Sequence, residues 1–184
     1  MYKSKALYQI LAFFCFSLCI NPKAEATAIE APEPYEEILK DIGYKSIEEA
    51  LKECEAHFQQ ELKLPVRIPA LTFTHHAGRF FEDKKYNAND SFEAKYISEK
   101  SPENHYKIDV RHVNDKLNFS KSEIENEYKL KDGQSALLLS NRTSKVLVFE
   151  KGKWQYMLGI DNRVSDKVTP EMLVEIADSI NYTN

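Results

Sequence analysis

Only five of the 184 residues are glycine. That scarcity removes the glycine-rich loops that cradle phosphates, and no GxSxG nucleophile elbow or SxxK pair occurs either. Cysteine is rarer still, with three residues, and Cys15 and Cys19 lie in an N-terminal apolar run. Once that run is removed only Cys54 remains, so no intramolecular disulfide can form and the core must hold by packing alone. Paired CxxC motifs, HExxH and acidic calcium loops are all missing, which leaves no metal signature. Basic excess is missing as well. Removal of residues 1–26 takes three lysines and one glutamate from 25 basic and 29 acidic residues and leaves a net charge of −6. A nucleic-acid binder needs the opposite balance to displace counterions.

The N-terminal stretch MYKSKALYQILAFFCFSLCINPKAEA reads as a signal peptide. Lys3 and Lys5 supply the positive start, Ala6 to Ile20 the apolar run, and AEATA the small residues a signal peptidase requires, which places cleavage after Ala26 or Ala28. The apolar run is shorter than the roughly 18 residues of a spanning helix. Leu18 before Cys19 and Phe14 before Cys15 do not supply the small residue of a lipoprotein cleavage site. The sequence therefore predicts a signal peptide over 1–26, a flexible leader over 27–34 with Pro32 and Pro34, and one domain over 35–184. The expected location is secreted or extracytoplasmic, with no stable membrane insertion after cleavage.

Within that domain the apolar period changes twice. A short helix is expected over PYEEILKDIGY, stopping near Gly43. A second starts at Ser46, where SIEE forms a capping box. Ile47, Ala50, Leu51, Cys54, Phe58 and Leu62 recur at three- and four-residue steps, and Pro65 and Pro69 end the stripe. From Leu71 the period becomes two. SFEAKYI aligns Phe92, Ala94 and Tyr96, and HYKIDVRHV aligns Tyr106, Ile108 and Val110 opposite Lys107, Asp109 and Arg111. YKLKDGQSALLL and VLVFEKGKWQYMLGI read as hairpins around Lys131-Asp132-Gly133 and Lys151-Gly152. A closing helix begins at Thr169 and Pro170, with Val168 stapled onto Leu173. The fold class is α+β: an antiparallel sheet flanked by an N-terminal amphipathic helix and a C-terminal helix.

The candidate chemical residues are few. In an extended THHAGRFF, His75 and His76 point to opposite faces, so they do not chelate one ion together, and one ring is expected inward and the other at the surface. The odd spacing of His105 and His112 separates them in the same way. Gly78 is expected to bend the chain. Arg79 either binds an acidic ligand or pairs with a carboxylate. Cys54, flanked by Glu53 and Glu55 on an apolar stripe, reads as a buried, inert thiol. Trp154 and Tyr156 share a face with Leu158 and Ile160, which fits a core better than a sugar platform. Paired carboxylates remain open, because their spatial pairing is not visible in sequence.

KLPVRIPALTFTHHAGRFF, VLVFEKGKWQYMLGID and VTPEMLVEIADSI together resemble an uncharacterised family of exported proteins and lipoproteins of Gram-positive spore-forming bacteria. That family carries a C-terminal domain of unknown function. The matching positions are Tyr156, Leu158, Gly159, Ile176, Ala177, Ser179 and Ile180, and the resemblance spans roughly residues 46–180. This chain departs from many relatives in lacking a lipobox cysteine. The resemblance implies bacterial export and a binding or regulatory role, and it carries no catalytic residue over.

The expected function is a non-enzymatic ligand-binding or regulatory module at the cell envelope, without cofactor or metal. Its candidate contact residues are His75, His76 and Arg79, and its partner is a ligand or an envelope protein. Two alternatives stand beside it: an envelope hydrolase using dispersed carboxylates or histidines, and a structural or spore-associated interaction protein.

Overall fold

The computed structural model describes residues 34–85 and 89–181. The predicted signal peptide and leader lie outside these residues except for Pro34, which stands at the N-terminus of the first helix.

Among the described residues three α-helices and seven strands follow in the order α1 (Tyr35–Asp41), α2 (Ile47–Phe58), β1 (His75–Phe81), β2 (Ser91–Ile97), β3 (His105–His112), β4 (Ile124–Lys129), β5 (Ser135–Ser140), β6 (Ser144–Lys151), β7 (Trp154–Asp161) and α3 (Pro170–Ala177). The strands form one antiparallel sheet in the order β1-β2-β3-β7-β6-β5-β4. The expected α+β class is what the chain adopts.

Local chemistry accounts for the helix limits. The Ser46 hydroxyl accepts from the Glu49 N–H at 3.1 Å while the Glu49 carboxylate accepts from the Ser46 N–H at 3.2 Å, so two otherwise unpaired helix-end donors are satisfied. Gly43, at φ +87°, separates α1 from α2. The α2 helix ends earlier than its apolar stripe predicts, at Phe58, because Gln59 turns left-handed at φ 51°. Leu62 is therefore not a helical residue. It reaches the core from the following loop, where its N–H donates to the Glu55 carboxylate at 2.9 Å. The Thr169 hydroxyl caps α3 by accepting from the Met172 N–H, with Pro170 in the first turn.

Period-two alternation gives the sheet two unlike faces. Phe92 and Ala94 of β2, Tyr106, Ile108 and Val110 of β3, Leu147 and Phe149 of β6, and Trp154, Tyr156, Leu158 and Ile160 of β7 are buried against α2 and α3. Trp154 and Tyr156 are core residues, as expected. The indole N–H donates to the Glu61 carbonyl and the phenol to the Lys63 carbonyl, each at 2.8 Å, which ties the loop after α2 to the sheet. On the opposite face Leu39 of α1 and Tyr44 pack on Ala77 and Ile97 at one end, and at the other the Leu117 N–H and C=O bond the side chain of the buried Gln155, each at 2.8 Å.

Gly78 does not bend the chain. β1 runs through it in unbroken register with β2, Gly78 opposite Ala94. A Cβ at this position would stand 2.7 Å from the Ile47 Cα, 3.0 Å from the Ala50 Cβ and 3.1 Å from the Ser46 carbonyl oxygen. The glycine is there because the start of α2 sits directly on the strand.

Candidate functional site

β1 is an edge strand, and among the described residues the Lys45–Gly78 bridge is the one pairing on its outer edge. The Gly78 N–H and C=O both bond to the Lys45 backbone, at 2.8 and 2.9 Å. Since outward and inward groups alternate along a strand, the His76 N–H and C=O turn toward the same outer edge. Beside them lies a recess of about 400 Å³ whose walls include Leu39, Tyr44 and Ala77, with Glu36, Lys40 and Glu49 at its rim. Both His75 and His76 reach it. They leave β1 on opposite faces: His75 is half-buried under α1, 5.3 Å from the Tyr35 ring, whereas His76 is exposed and 6.2 Å from Tyr96. Thr74 Oγ1 lies 2.8 Å from His75 Nδ1, and the Glu99 carboxylate lies 3.8 Å from Nε2.

Arg79 is not part of this recess. Its guanidinium lies 3.7 Å from Glu93 and 4.6 Å from the centre of the Tyr44 ring, and it donates to the Ile42 carbonyl at 3.4 Å. Of the two roles open to it in sequence, it occupies the carboxylate pair. The three candidates thus divide: two histidines at the recess, and the arginine inside a charged array beneath the Tyr44 ring.

Sequence reasoning did not find that array. Register sets Arg79 opposite Glu93 and Glu93 opposite Asp109, with Lys95 opposite Lys107 one step along. Lys107 Nζ reaches Asp109 at 2.9 Å and Glu93 at 3.6 Å, Lys95 reaches Glu93 at 3.4 Å, and the Tyr44 hydroxyl donates to Glu93. Alternating charges in Glu93-Ala94-Lys95 and Lys107-Ile108-Asp109 were visible, but which charge meets which depends on strand register. Burial alone would raise the Glu93 carboxyl. The Tyr44 hydrogen bond and the nearby Lys107, Lys95 and Arg79 outweigh it and hold the group below its ordinary 4.5. Asp109 goes the other way: burial raises it, and Lys107 offsets this only in part. Two carboxyls pushed apart are a starting point for acid–base chemistry. Here, however, Lys107 lies within ion-pair distance of both, and Glu93 is held by three further groups.

The array gives a pH-dependent stability. Unfolded Glu93 titrates near 4.5 and folded Glu93 lower, so its stabilising contribution is complete above the unfolded value and is lost as pH falls through the folded one. Glu93→Gln should lower the urea midpoint at pH 7, and the gap from the parent should close as pH falls below 4.5 and through the lower folded value. A gap that stays constant over that range would show that Glu93 stabilises by packing alone.

The remaining candidates lie outside the recess. Cys54 is fully buried, and burial, reinforced by Glu55 and Asp90, pushes its thiol up to about 12, so no thiolate is available at neutral pH. His57 Nε2 lies 2.8 Å from the buried Asp90 and joins α2 to the segment before β2. His112 stacks on Phe58 at 5.4 Å on the core face, and His105 lies on the opposite face. Among the described residues no group of three or more His, Cys, Asp or Glu side chains is arranged to hold a metal ion.

No family model, curated protein or solved structure matches this chain. Among the described residues no helix is long and apolar enough to cross a membrane.

Proposed function

We propose that this chain is an exported bacterial module that binds a ligand without transforming it and acts at the cell envelope. Export and the bacterial envelope rest on the N-terminal sequence and the family resemblance. The binding reading rests on one observation: the recess beside the outer edge of β1, where apolar walls meet outward backbone groups at His76. The ligand chemistry suited to such an edge is an extended peptide. Its backbone would pair with His76 as an added strand, and one side chain would enter the space between Leu39, Tyr44 and Ala77.

His76→Pro tests this with little risk to the fold. Proline removes an N–H that faces outward from an edge strand, where no ladder bond is lost. Peptides selected from a displayed library on the parent chain should shift the amides of residues 74–78 in NMR spectra. They should bind His76→Pro at least about tenfold more weakly, a change of about 1.4 kcal/mol, while the melting temperature stays close to the parent's. Undiminished binding to the proline variant would sink the edge-pairing reading. Cleavage of the bound peptide over time would instead favour the envelope hydrolase.

A further inference from the structure

The middle of the face opposite the core holds a second recess. Three adjacent strands, β3, β7 and β6, present a grid of side chains there. Register aligns Asp109, Met157 and Val148 in one row and Lys107, Gly159 and Val146 in the next, and it sets Ser144 opposite Asp161 in the third, beside His105. The central position of the grid is Gly159, so the centre has no side chain. A cavity of about 390 Å³ opens over this gap, within the roughly 300–1,000 Å³ of small-molecule sites.

Neither backbone nor packing demands a glycine at that point. Gly159 is not among the residues with positive φ. Among the described residues a Cβ there would meet only the Val146 Cγ2 at 3.7 Å and the Lys107 carbonyl oxygen at 3.9 Å, which is ordinary van der Waals contact. Gly78, on the same sheet, is the contrasting case, since a helix fills the space that its side chain would need. At Gly159 the space is left open. A glycine inside a strand weakens the sheet and often marks close approach by a ligand.

We propose that this gap binds a small, neutral, polyhydroxylated molecule of mono- or disaccharide size. The rim is divided in the way such a ring is divided. Val146 and Met157 offer an apolar side for C–H groups, while Lys107, Asp109 and Ser144 offer donors and acceptors for hydroxyls. Lys107 Nζ and the Asp109 carboxylate stand 2.9 Å apart, a donor beside an acceptor. Neighbouring hydroxyls on a sugar ring present the complementary pair, one accepting from the ammonium and one donating to the carboxylate. Charge at the site is close to balanced: Lys107 lies between Glu93 and Asp109, and Asp161 is engaged by the Arg163 side chain at 2.7 and 3.0 Å. Burial and the nearby Lys95 and Lys107 hold the His105 ring below its ordinary value, which keeps it neutral at pH 7. The charged groups are paired with one another, which favours a neutral polyol over a phosphate or a free cation. This site is separate from the β1 recess and does not depend on the peptide reading.

The test is amide NMR titration of the full chain with glucose, N-acetylglucosamine and their β-linked dimers, run beside glycine, leucine and inorganic phosphate. At least one sugar should give saturable shifts at Lys107, Met157 and Gly159 and leave residues 74–78 unmoved. Gly159→Leu, which fills the gap, should weaken that binding by at least about tenfold, and Gly159→Ala should weaken it less. If Gly159→Leu loses its folded spectrum, Asp109→Asn decides, with a similar loss expected from removal of the charged acceptor. Three outcomes overturn the proposal: no saturable sugar shift at any of the three residues, binding unchanged in the folded Leu or Asn variant, or saturation by an amino acid or phosphate in place of every sugar.

Discussion

Gly78→Val should cost on the order of 3 kcal/mol, a large change for a substitution that adds three carbons to a strand. The reason is what stands over the glycine. The nearest obstacle to a Cβ is the Ile47 Cα at 2.7 Å, which belongs to the helix backbone and cannot rotate away. The Ala50 Cβ at 3.0 Å and the Ser46 carbonyl oxygen at 3.1 Å close the remaining directions. A side chain must therefore lift the first turn of α2 off β1. That move also strains the Ser46–Glu49 capping box and the Lys45 backbone pairing at Gly78. Gly78→Ala should cost somewhat less. Adding Ala50→Gly to it should recover little, because the Ile47 backbone contact remains and a glycine inside a helix costs about 1 kcal/mol itself. Urea denaturation followed by far-UV circular dichroism measures all three. A midpoint for Gly78→Val within error of the parent would mean that α2 does not rest on β1 in solution.

Gly78 also marks the limit of what the sequence could say. Its flexibility was legible, and a bend was the natural reading, but its actual role depends on a helix more than twenty residues earlier. Elements with strictly local causes read correctly: the capping box at Ser46, the Thr169-Pro170 start, the turn at Gly133 with φ +86°, and the alternation in β2 and β3. The end of α2 did not, since Leu62 keeps helical spacing in sequence but enters the core from a loop. The opposition of His75 and His76 followed from strand geometry alone. The Glu93, Lys107 and Asp109 array and the gap at Gly159 did not, because each is a relation between residues on different strands. Alternation assigns a side chain to a face, and only register says which side chains share a row.

The same dependence on long-range contact makes Trp154 the other position of largest effect. Trp154→Ala should cost about 3–5 kcal/mol, the range for removing a fully buried large aromatic side chain. The indole has no solvent exposure and meets Phe58 edge-on at 5.2 Å and His112 edge-on at 5.6 Å, so its loss strips contacts from α2 and from β3 together. It also leaves the Glu61 carbonyl without its 2.8 Å donor, which adds about 1 kcal/mol if no water takes its place. Trp154→Phe separates the two contributions. The ring is largely replaced and the N–H is not, so the cost should fall to about 1–2 kcal/mol. The chain has a single tryptophan, so the alanine and phenylalanine variants must be followed by circular dichroism, and the parent can be followed by fluorescence as well. The loop after α2 should respond first. In hydrogen exchange, the Leu62 N–H, held by the Glu55 carboxylate at 2.9 Å, should lose protection in both variants. Equal stability loss in the alanine and phenylalanine variants would place the whole effect in the lost N–H bond. Protection of Leu62 unchanged from the parent would mean that the indole does not hold this loop.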